Sequence, residues 1–250
     1  MQKLIFLLLL LPTYCVAQGS SREDTLVVTN SSGSDAPLSA TGTAVLSSTV
    51  TREGVQSNSK LTAELKNVSS KPIMAFEVVV DLFASYGGGD RIVSRVDYFF
   101  SNQALMPNST SPLSVSPHQD FIHWSQGSPP STLGDIGHPP SPKADVKVTF
   151  VEFADGTAFG GCEWASGLSA RREKMIEIID SLLRAFDRDK ETGLSSAIER
   201  EQAKADNSSE LHSLLADARQ KLRDKGPSAT VEFLRKYVAN AERNSGAAHR

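Results

Sequence analysis

Residues 60–84 read KLTAELKNVSSKPIMAFEVVVDLFA and hold the densest alternation of apolar and polar side chains in the chain. In the first half, Leu61, Ala63 and Leu65 project to one side of an extended segment, and the polar residues between them project to the other. The second half, 75–83, is more apolar, which is typical of a central strand. A polar segment ending in proline separates the halves and favours a tight turn. The stretch therefore predicts two strands joined as a hairpin.

Other runs of β-branched and aromatic residues surround this stretch, and clusters of Gly, Ser, Asn and Pro separate them. Together the runs lie at 44–46, 60–66, 73–83, 91–99, 113–115, 121–124 and 146–153. Short runs at this spacing, with no helical period among them, predict an antiparallel β-sandwich of immunoglobulin-like type. The Asp155-Gly156 pair predicts the last hairpin, closing near Phe159, because a type I′ turn needs positive φ at both central positions.

The string LTAELKNVSSKPIMAFEVVVDLF at 61–83 resembles the signature of bacterial exported immunoglobulin-like domains, including those of the FxLYD type. A Leu-x-Pro segment often follows in that family, and 105–107 echo it here. The sequence departs from the pattern at 81–83, where Asp-Leu-Phe replaces Leu-Tyr-Asp, and at Asn108, which replaces the usual Gly. The resemblance covers about 60 residues. It implies an accessory or scaffold module and supplies no catalytic residue.

The first 17 residues, MQKLIFLLLLLPTYCVA, have the three parts of a secretory signal peptide: a basic start, an apolar run and small residues before the cleavage point. We expect cleavage before Gln18 and a secreted or periplasmic protein. The apolar run is shorter than the roughly 20 residues that cross a bilayer, so no transmembrane segment is expected after cleavage. A lipoprotein box ending at Cys15 is the alternative, but the bulky Tyr14 beside that cysteine fits it poorly.

Removal of the leader would leave Cys162 as the one cysteine of the mature chain, so no intramolecular disulfide is expected. Cys162 is then a free thiol. It is either a buried, inert side chain, or a reactive thiol or partner in an intermolecular disulfide. The sequence favours the inert form and leaves the others open.

After Gly167 the apolar period changes from two to about 3.6, with Met175, Ile179 and Leu182 on one helical stripe. Gly226 and the proline after it separate a third helix from a fourth. The predicted organisation is α+β, with a sandwich followed by a small all-helical region. Its parts are a signal peptide at 1–17, a flexible leader at 18–40 with room for one edge strand, the sandwich at 41–160 with a mobile loop at 125–142, a linker at 161–167, and about four helices at 168–250.

Two clusters of polar residues resemble metal sites without meeting their requirements. The segment 187–199 has acids at alternate positions, but its Gly and its final Glu fall one place late for a calcium loop. It is therefore predicted to be a solvated turn between helices. His118 and Asp120 share a strand face, and His123 points to the opposite one, which works against tetrahedral zinc. A site that adds His138 from the mobile loop is conceivable, but histidines in a solvated loop are the expected form. No Gly-x-Ser-x-Gly elbow is present. We therefore expect no catalytic, cofactor or metal site, and no enzymatic activity.

The candidate partner surface consists of Tyr98, Phe99, Phe100 and Trp124. Three consecutive aromatic residues on a strand send at least one ring to each face. Either one ring enters the core while another covers the helices, or together they form a patch for a partner. The formal net charge of −3 gives no reason to expect nucleic acid. The first hypothesis is a non-enzymatic protein that binds another protein or an envelope component, and the alternative is a small-molecule or glycan-binding module that uses Tyr98, Trp124 and the loops at one end of the sandwich.

Overall fold

The computed structural model describes residues 21–51, 53–84, 89–123, 141–206 and 210–248. The predicted leader at 1–17, most of the predicted loop at 125–142, Trp124 and His138 lie outside these ranges. Within them, nine strands precede three helices. The strands are β1 (Ser21–Val27), β2 (Thr29–Asn30), β3 (Leu38–Val50), β4 (Gly54–Asn67), β5 (Ile73–Phe83), β6 (Gly89–Asp97), β7 (Thr110–His123), β8 (Lys143–Phe153) and β9 (Ala158–Gly160).

The strands form two sheets. The first sheet has the order β1-β3-β4-β7, and the second has the order β2-β8-β5-β6, with β9 also paired to β8. The pairings are antiparallel except for the two-residue contact of β2 with β8, which is parallel. Helices then follow: α1 (Glu163–Ser166), α2 (Leu168–Lys204) and α3 (Glu210–Ala248). The predicted α+β class, with antiparallel sheets and C-terminal helices, is confirmed.

One apolar cluster joins the two sheets. Leu61 and Leu65 of β4 enter it from the first sheet, while Phe76 and Val78 of β5 enter it from the second. The predicted alternation of β4 is confirmed, because its buried and exposed residues alternate from Ser59 to Asn67. In β5, residues 73–80 are buried on both faces, since the helices cover the face that points away from the first sheet. This is why its sequence is almost continuously apolar.

The prediction that 60–84 forms a hairpin is wrong. β4 and β5 belong to different sheets, and the segment between them crosses from one sheet to the other. The buried Asn67 holds this crossing: its Nδ2 donates to the carbonyl oxygens of Lys71 and Leu105, both at 2.8 Å, and its Oδ1 accepts from the Ser69 amide at 3.0 Å. Placing the strands in facing sheets buries the apolar side of both against each other, which a shared sheet would not do.

Residues 21–40, the described part of the predicted flexible leader, contain the edge strand that the sequence allowed and a second strand besides. β1 pairs with β3 over seven residues and forms the edge of the first sheet, and β2 pairs with β8 in the second sheet. Val28, between them, is buried, and its amide donates to the Gly42 carbonyl at 3.0 Å. Leu26 packs against the core, and Leu38 is fully buried. These few apolar side chains are enough to dock a segment whose composition is mostly polar.

The predicted last hairpin is confirmed as β8 and β9. Their pairing runs from Phe150 opposite Gly160 to Glu152 opposite Ala158. Its turn differs from the expected two-residue form. Only Gly156 has positive φ, at 78°, and the Phe153 amide donates to the Thr157 carbonyl at 2.9 Å. Three residues therefore form the loop, with glycine at its left-handed position. The Asp155 carboxylate accepts from the Thr157 amide and pairs with Lys71, which holds the pKa of Asp155 well below its usual range.

Both long helices break once. Backbone angles leave the helical region at Lys190 (φ 54°, ψ −135°) in α2 and at Gly226 (φ 79°, ψ 178°) in α3. Pro227 has no amide hydrogen to continue the helix, and Gly226 tolerates positive φ. We call the parts the first arm (168–189) and second arm (191–204) of α2, and the first arm (210–225) and second arm (227–248) of α3. Their apolar stripes share one cluster.

Candidate functional site

Arg172 joins the helices to the second sheet. It lies at an inward position of the first arm of α2, and its guanidinium is mostly buried. Its Nε and Nη2 each donate to Asp97 at 2.8 Å. Its Nη1 and Nη2 also donate to Glu152, at 3.1 and 2.6 Å. The planar guanidinium thus engages two carboxylates in bidentate fashion, one from β6 and one from β8.

The positive charge of Arg172 is compensated by the carboxylates of Asp97 and Glu152. Burial acts to lower the pKa of Arg172, but the hydrogen bonds that it donates to Asp97 and Glu152 outweigh that effect and raise the pKa. The guanidinium also lies 4.4 Å from the centre of the Phe99 ring, a cation–π contact. We call Arg172, Asp97, Glu152 and Phe99 the arginine clamp. It fixes the direction in which α2 leaves the sheet.

Three of the four residues of the predicted partner surface bind within the chain. Tyr98 packs on the sheet core, 6.2 Å from Phe76 between ring centres. Phe99 belongs to the arginine clamp. Phe100 packs into the helical cluster and stacks with Tyr237 at 6.1 Å. This arrangement corresponds to the interpretation in which one ring enters the core and another covers the helices.

The second arm of α3 provides another attachment to the same turn. Asn240 and Asn244 donate from Nδ2 to the backbone carbonyls of Phe100 and Phe99, at 3.0 and 2.7 Å. These bonds satisfy carbonyls that leave the strand ladder at the end of β6. The helices are therefore held at two places, by the arginine clamp and by this asparagine pair.

Cys162 lies under the helices at the exit of the second sheet. Its Sγ accepts a hydrogen bond from the Ala165 amide at 3.4 Å and so caps α1. The side chain is half-buried against Phe150 and Leu168. Burial raises the pKa of the thiol, and the neighbouring Glu77 carboxylate raises it further. A raised pKa means little thiolate at neutral pH, which is typical of an unreactive cysteine.

Glu77 is the buried acid beside this thiol, on the outward face of β5. Arg95 Nε donates to it at 2.8 Å and the Thr149 hydroxyl at 2.8 Å. Burial acts to raise the pKa of Glu77, but the hydrogen bonds from Arg95, Thr149 and Cys162 outweigh burial, and the pKa lies below its ordinary value. The carboxylate is therefore charged at neutral pH and directs Arg95 along the sheet towards the helices.

A cleft runs between β6 and the helices, and it has two lobes. The Trp164 lobe, of about 760 Å³, lies between α1, both arms of α2 and the start of α3. The Tyr237 lobe, of about 570 Å³, lies between the end of β6 and both arms of α3. Arg95, Met175 and Glu210 line both lobes, so the two spaces adjoin each other at these residues. Both volumes fall in the range of ligand-binding clefts.

Trp164 is the central aromatic residue of its lobe. Its ring meets Phe150 edge-on at 6.0 Å, and two guanidinium groups lie near the ring centre, Arg95 at 5.9 Å and Arg171 at 5.4 Å. Its Nε1 donates to no atom of the residues described, and it is not sealed from solvent. Ile178 and Leu211 add partly buried apolar surface nearby. The lobe therefore combines an apolar wall, an available donor and positive charge.

The cations of the Trp164 lobe differ in how they are paired. Arg95 is bound to Glu77, and Lys204 lies 3.2 Å from Glu201. Arg171 donates to the backbone carbonyl of Trp164, and Lys174 forms no ion pair with any described residue. Arg171 and Lys174 are thus exposed cations on one side of α2, with no carboxylate within ion-pair distance across the described ranges.

The acids of the same lobe are placed differently. Glu201 is held between Arg200 and Lys204, whose hydrogen bonds lower its pKa. Glu210 stands where the two lobes meet. Burial of its carboxyl group raises its pKa and the charge of Asp97 raises it further, while the charges of Arg171 and Arg172 offset this only in part. Negative charge is therefore neutralised at Glu201 and disfavoured at Glu210.

Of the two segments that resemble metal sites, the structure describes the side chains of one, 187–199. The segment 187–199 contains the break of α2 at Lys190, whose Nζ bonds the Asp187 carbonyl at 3.2 Å and lies over Phe186. A side chain at Gly193 would meet the Ala185 carbonyl, so the turn closes tightly on itself. The side chains of His118, Asp120 and His123, like His138, are outside what the structure describes. Elsewhere in the described ranges, no three His, Cys, Asp or Glu side chains converge.

The sequence contained a signal for the arginine clamp but none for the cleft. Leu168, Arg172, Met175 and Ile179 follow the inward stripe of one helix, and a charged residue at such a position indicates a buried partner. Arg171 and Lys174 lie off this stripe. Exposed cations on a helix are common, so nothing in the pattern distinguished these two.

No helix within the described ranges is both long and apolar enough to span a bilayer. No protein-family model matches the sequence, and no curated protein and no solved structure matches it either. The function therefore has to be inferred from the residues that line the cleft.

Proposed function

We propose that this is an exported, non-enzymatic protein that binds another protein, or a component of the cell envelope, through the cleft between β6 and the helices. The two adjoining lobes carry this proposal, because together they offer apolar and charged walls to the side chains of one segment of a partner. The arginine clamp and the asparagine pair support it. They hold the walls of the cleft in a fixed relation, which lowers the entropy lost on binding.

An immunoglobulin-like sandwich is part of the proposal. Its support is that β4 crosses to β5 in the other sheet, while β4 pairs with β7 and β5 pairs with β8 outside chain order. Such crossings are a feature of Greek-key sandwiches. The resemblance of 61–83 to exported bacterial domains points the same way, and it fits a scaffold module that carries its binding site at an added helical region.

Export rests on the leader-like composition of 1–17. Expression in a bacterial host followed by fractionation and mass spectrometry tests it. We expect the chain outside the cytoplasm to begin at Gln18. A chain that keeps Met1 and stays with the cytoplasmic fraction would contradict export.

A small-molecule ligand is the second candidate function. The observation in its favour is the Trp164 lobe, in which one indole ring with an available Nε1 faces a space of about 760 Å³. A glycan or aromatic compound stacking on Trp164 would use that ring as its platform. The loop-end site expected from the sequence is not part of this version, because Tyr98 packs on the sheet core and Trp124 is outside the described residues.

Site-specific photocrosslinking tests the protein-binding function. A photoreactive amino acid replaces Ile178 in the cleft, and in the control it replaces Lys225, which is exposed at the end of the first arm of α3. We expect a protein adduct from Ile178 alone, and the isolated partner should then bind the purified wild-type chain in calorimetry. Equal adducts from both positions, or none from either, would contradict the proposal.

A further inference from the structure

We propose that the occupant of the cleft is an acidic, extended segment of a partner protein. This inference rests on the proposed function and specifies its ligand. The Trp164 lobe receives one acidic side chain of the segment together with a neighbouring apolar one. The Tyr237 lobe receives a second apolar or aromatic side chain.

The exposed cations of the Trp164 lobe favour an acidic ligand. Arg171 and Lys174 are exposed and have no carboxylate within ion-pair distance in the described part of the chain. Arg171 still offers guanidinium donors beyond the one bound to the Trp164 carbonyl. Three acids also line this lobe. Glu201 is held by Arg200 and Lys204, Asp206 lies near the end of α2, and Glu210 feels the charge of Arg171 from beyond ion-pair distance. A carboxylate from outside therefore finds two available cations and the Trp164 Nε1 donor, and it completes charge-assisted hydrogen bonds that the chain itself leaves open.

The apolar surface of the cleft favours a ligand that also carries apolar side chains. Beside these donors lie the Trp164 ring and the partly buried side chains of Ile178 and Leu211. The Tyr237 lobe adds Phe233 and Tyr237, whose rings lie 5.0 Å apart. A ligand with charged groups alone would leave these rings exposed to water. A chain with apolar side chains between its acids covers them.

The shape of the cleft favours an extended chain over a small acid. The lobes adjoin at Arg95 of β6, and the next two residues of this strand, Val96 and Asp97, line the Tyr237 lobe. β6 pairs with β5 alone among the described strands, so it is an edge strand of the second sheet. Side chains of an extended segment alternate, and those on one face recur about every 7 Å. This spacing lets one segment place side chains in both lobes.

The test uses the full mature chain with Trp124→Phe, which leaves Trp164 as the only tryptophan of the two in the sequence. The ligands are three labelled decapeptide libraries with the same apolar positions: one acidic, one with amides in place of the carboxylates, and one with lysines. Trp164 fluorescence and peptide anisotropy report binding. We expect the acidic library to bind, to change Trp164 emission, and to weaken as salt rises.

Two double variants separate the cleft from overall charge. Arg171→Gln with Lys174→Gln should weaken acidic peptides by about tenfold or more, because two charge-assisted contacts are lost. The control is Arg184→Gln with Lys225→Gln, one exposed cation of α2 and one of α3, neither with an ion pair among the described residues. It removes the same charge and should leave affinity within about twofold.

The remaining outcomes are decisive. Equal binding of the amide or lysine library at Trp164 would overturn the acidic ligand and leave the protein-binding function standing. Free glutamate or benzoate binding as tightly as the peptides would overturn the extended segment. If no library binds while a crosslinked partner still does, this inference fails and the proposed function survives. If Ile178 gives no adduct as well, both fail.

Discussion

The side-chain amide of Asn67 holds the crossing between the two sheets. Asn67 is fully buried, and its amide bonds two carbonyls and the Ser69 backbone and hydroxyl. We expect Asn67→Ala to lower the free energy of unfolding by about 2–4 kcal/mol, because buried carbonyls lose their donors. Urea unfolding measures it. Asn102→Ala, at an exposed site, should change stability by less than about 0.5 kcal/mol, and equal losses would contradict the role given to Asn67.

Glu77 makes stability depend on pH at the scale of one residue. Its folded-state pKa is lowered, so its stabilisation is present above the ordinary carboxyl pKa of about 4.3 and is lost as pH falls through the folded value. We expect Glu77→Gln to cost about 1–2 kcal/mol at neutral pH and progressively less in acid. Unfolding free energies measured across this pH range test it. The control is Glu64→Gln on the exposed face of β4; a cost at Glu77 that does not shrink in acid would contradict the linkage.

The break in α2 sets the geometry of that element. Lys190 has positive φ with ψ near −135°, a region that glycine adopts far more readily than a residue with a Cβ. We therefore expect Lys190→Gly to raise the free energy of unfolding by about 0.5–1 kcal/mol, after the entropic cost of glycine is subtracted. Arg188→Gly, two residues earlier in regular helix, should lower it by about 1 kcal/mol. Calorimetric unfolding distinguishes the two, and destabilisation by both would contradict a strained break.

The helical elements were the part of the fold most readable from sequence. Apolar period, together with Gly226 and Pro227, indicated where helices begin and end, because both signals act within a few residues. The start at Leu168 follows the predicted change of period after Gly167. Strand partners were less readable. Alternation in β4 fixes which face is buried, but it does not determine which strand lies beside it. The local pattern at 67–72 therefore fits a hairpin as well as a crossing between sheets.

The arginine clamp acts at the scale of the whole molecule, because it joins a helix to two strands. Arg172→Met leaves the Asp97 carboxylate buried without its partner, and we expect a loss of about 3–5 kcal/mol in unfolding free energy. Arg184→Met, exposed on the same arm of α2, should cost less than about 0.5 kcal/mol. Adding Asp97→Leu to Arg172→Met should recover part of the loss. Urea unfolding followed by circular dichroism measures all three.

Limited proteolysis of the Arg172→Met variant tests how the helical region is coupled to the sheets. Loss of the arginine clamp should make the helices more susceptible to proteolysis near 161–167 before the sheets unfold, since docking is weakened more than either core. Identical cleavage of Arg172→Met and Arg184→Met would show that the clamp does not hold the helices to the sheet.

Sequence alone determined the α+β class, the register of apolar faces, the last hairpin and the helical arms. Each depends on the period of nearby residues, on glycine or on proline, and these act through local backbone geometry. Only the tertiary structure decided that 60–84 crosses between sheets, that Tyr98, Phe99 and Phe100 bind inside the chain, and that Arg95, Trp164, Arg171 and Lys174 meet in one cleft. These depend on contacts between residues far apart in the chain, where burial and charge pairing choose among partners that the local pattern leaves equivalent.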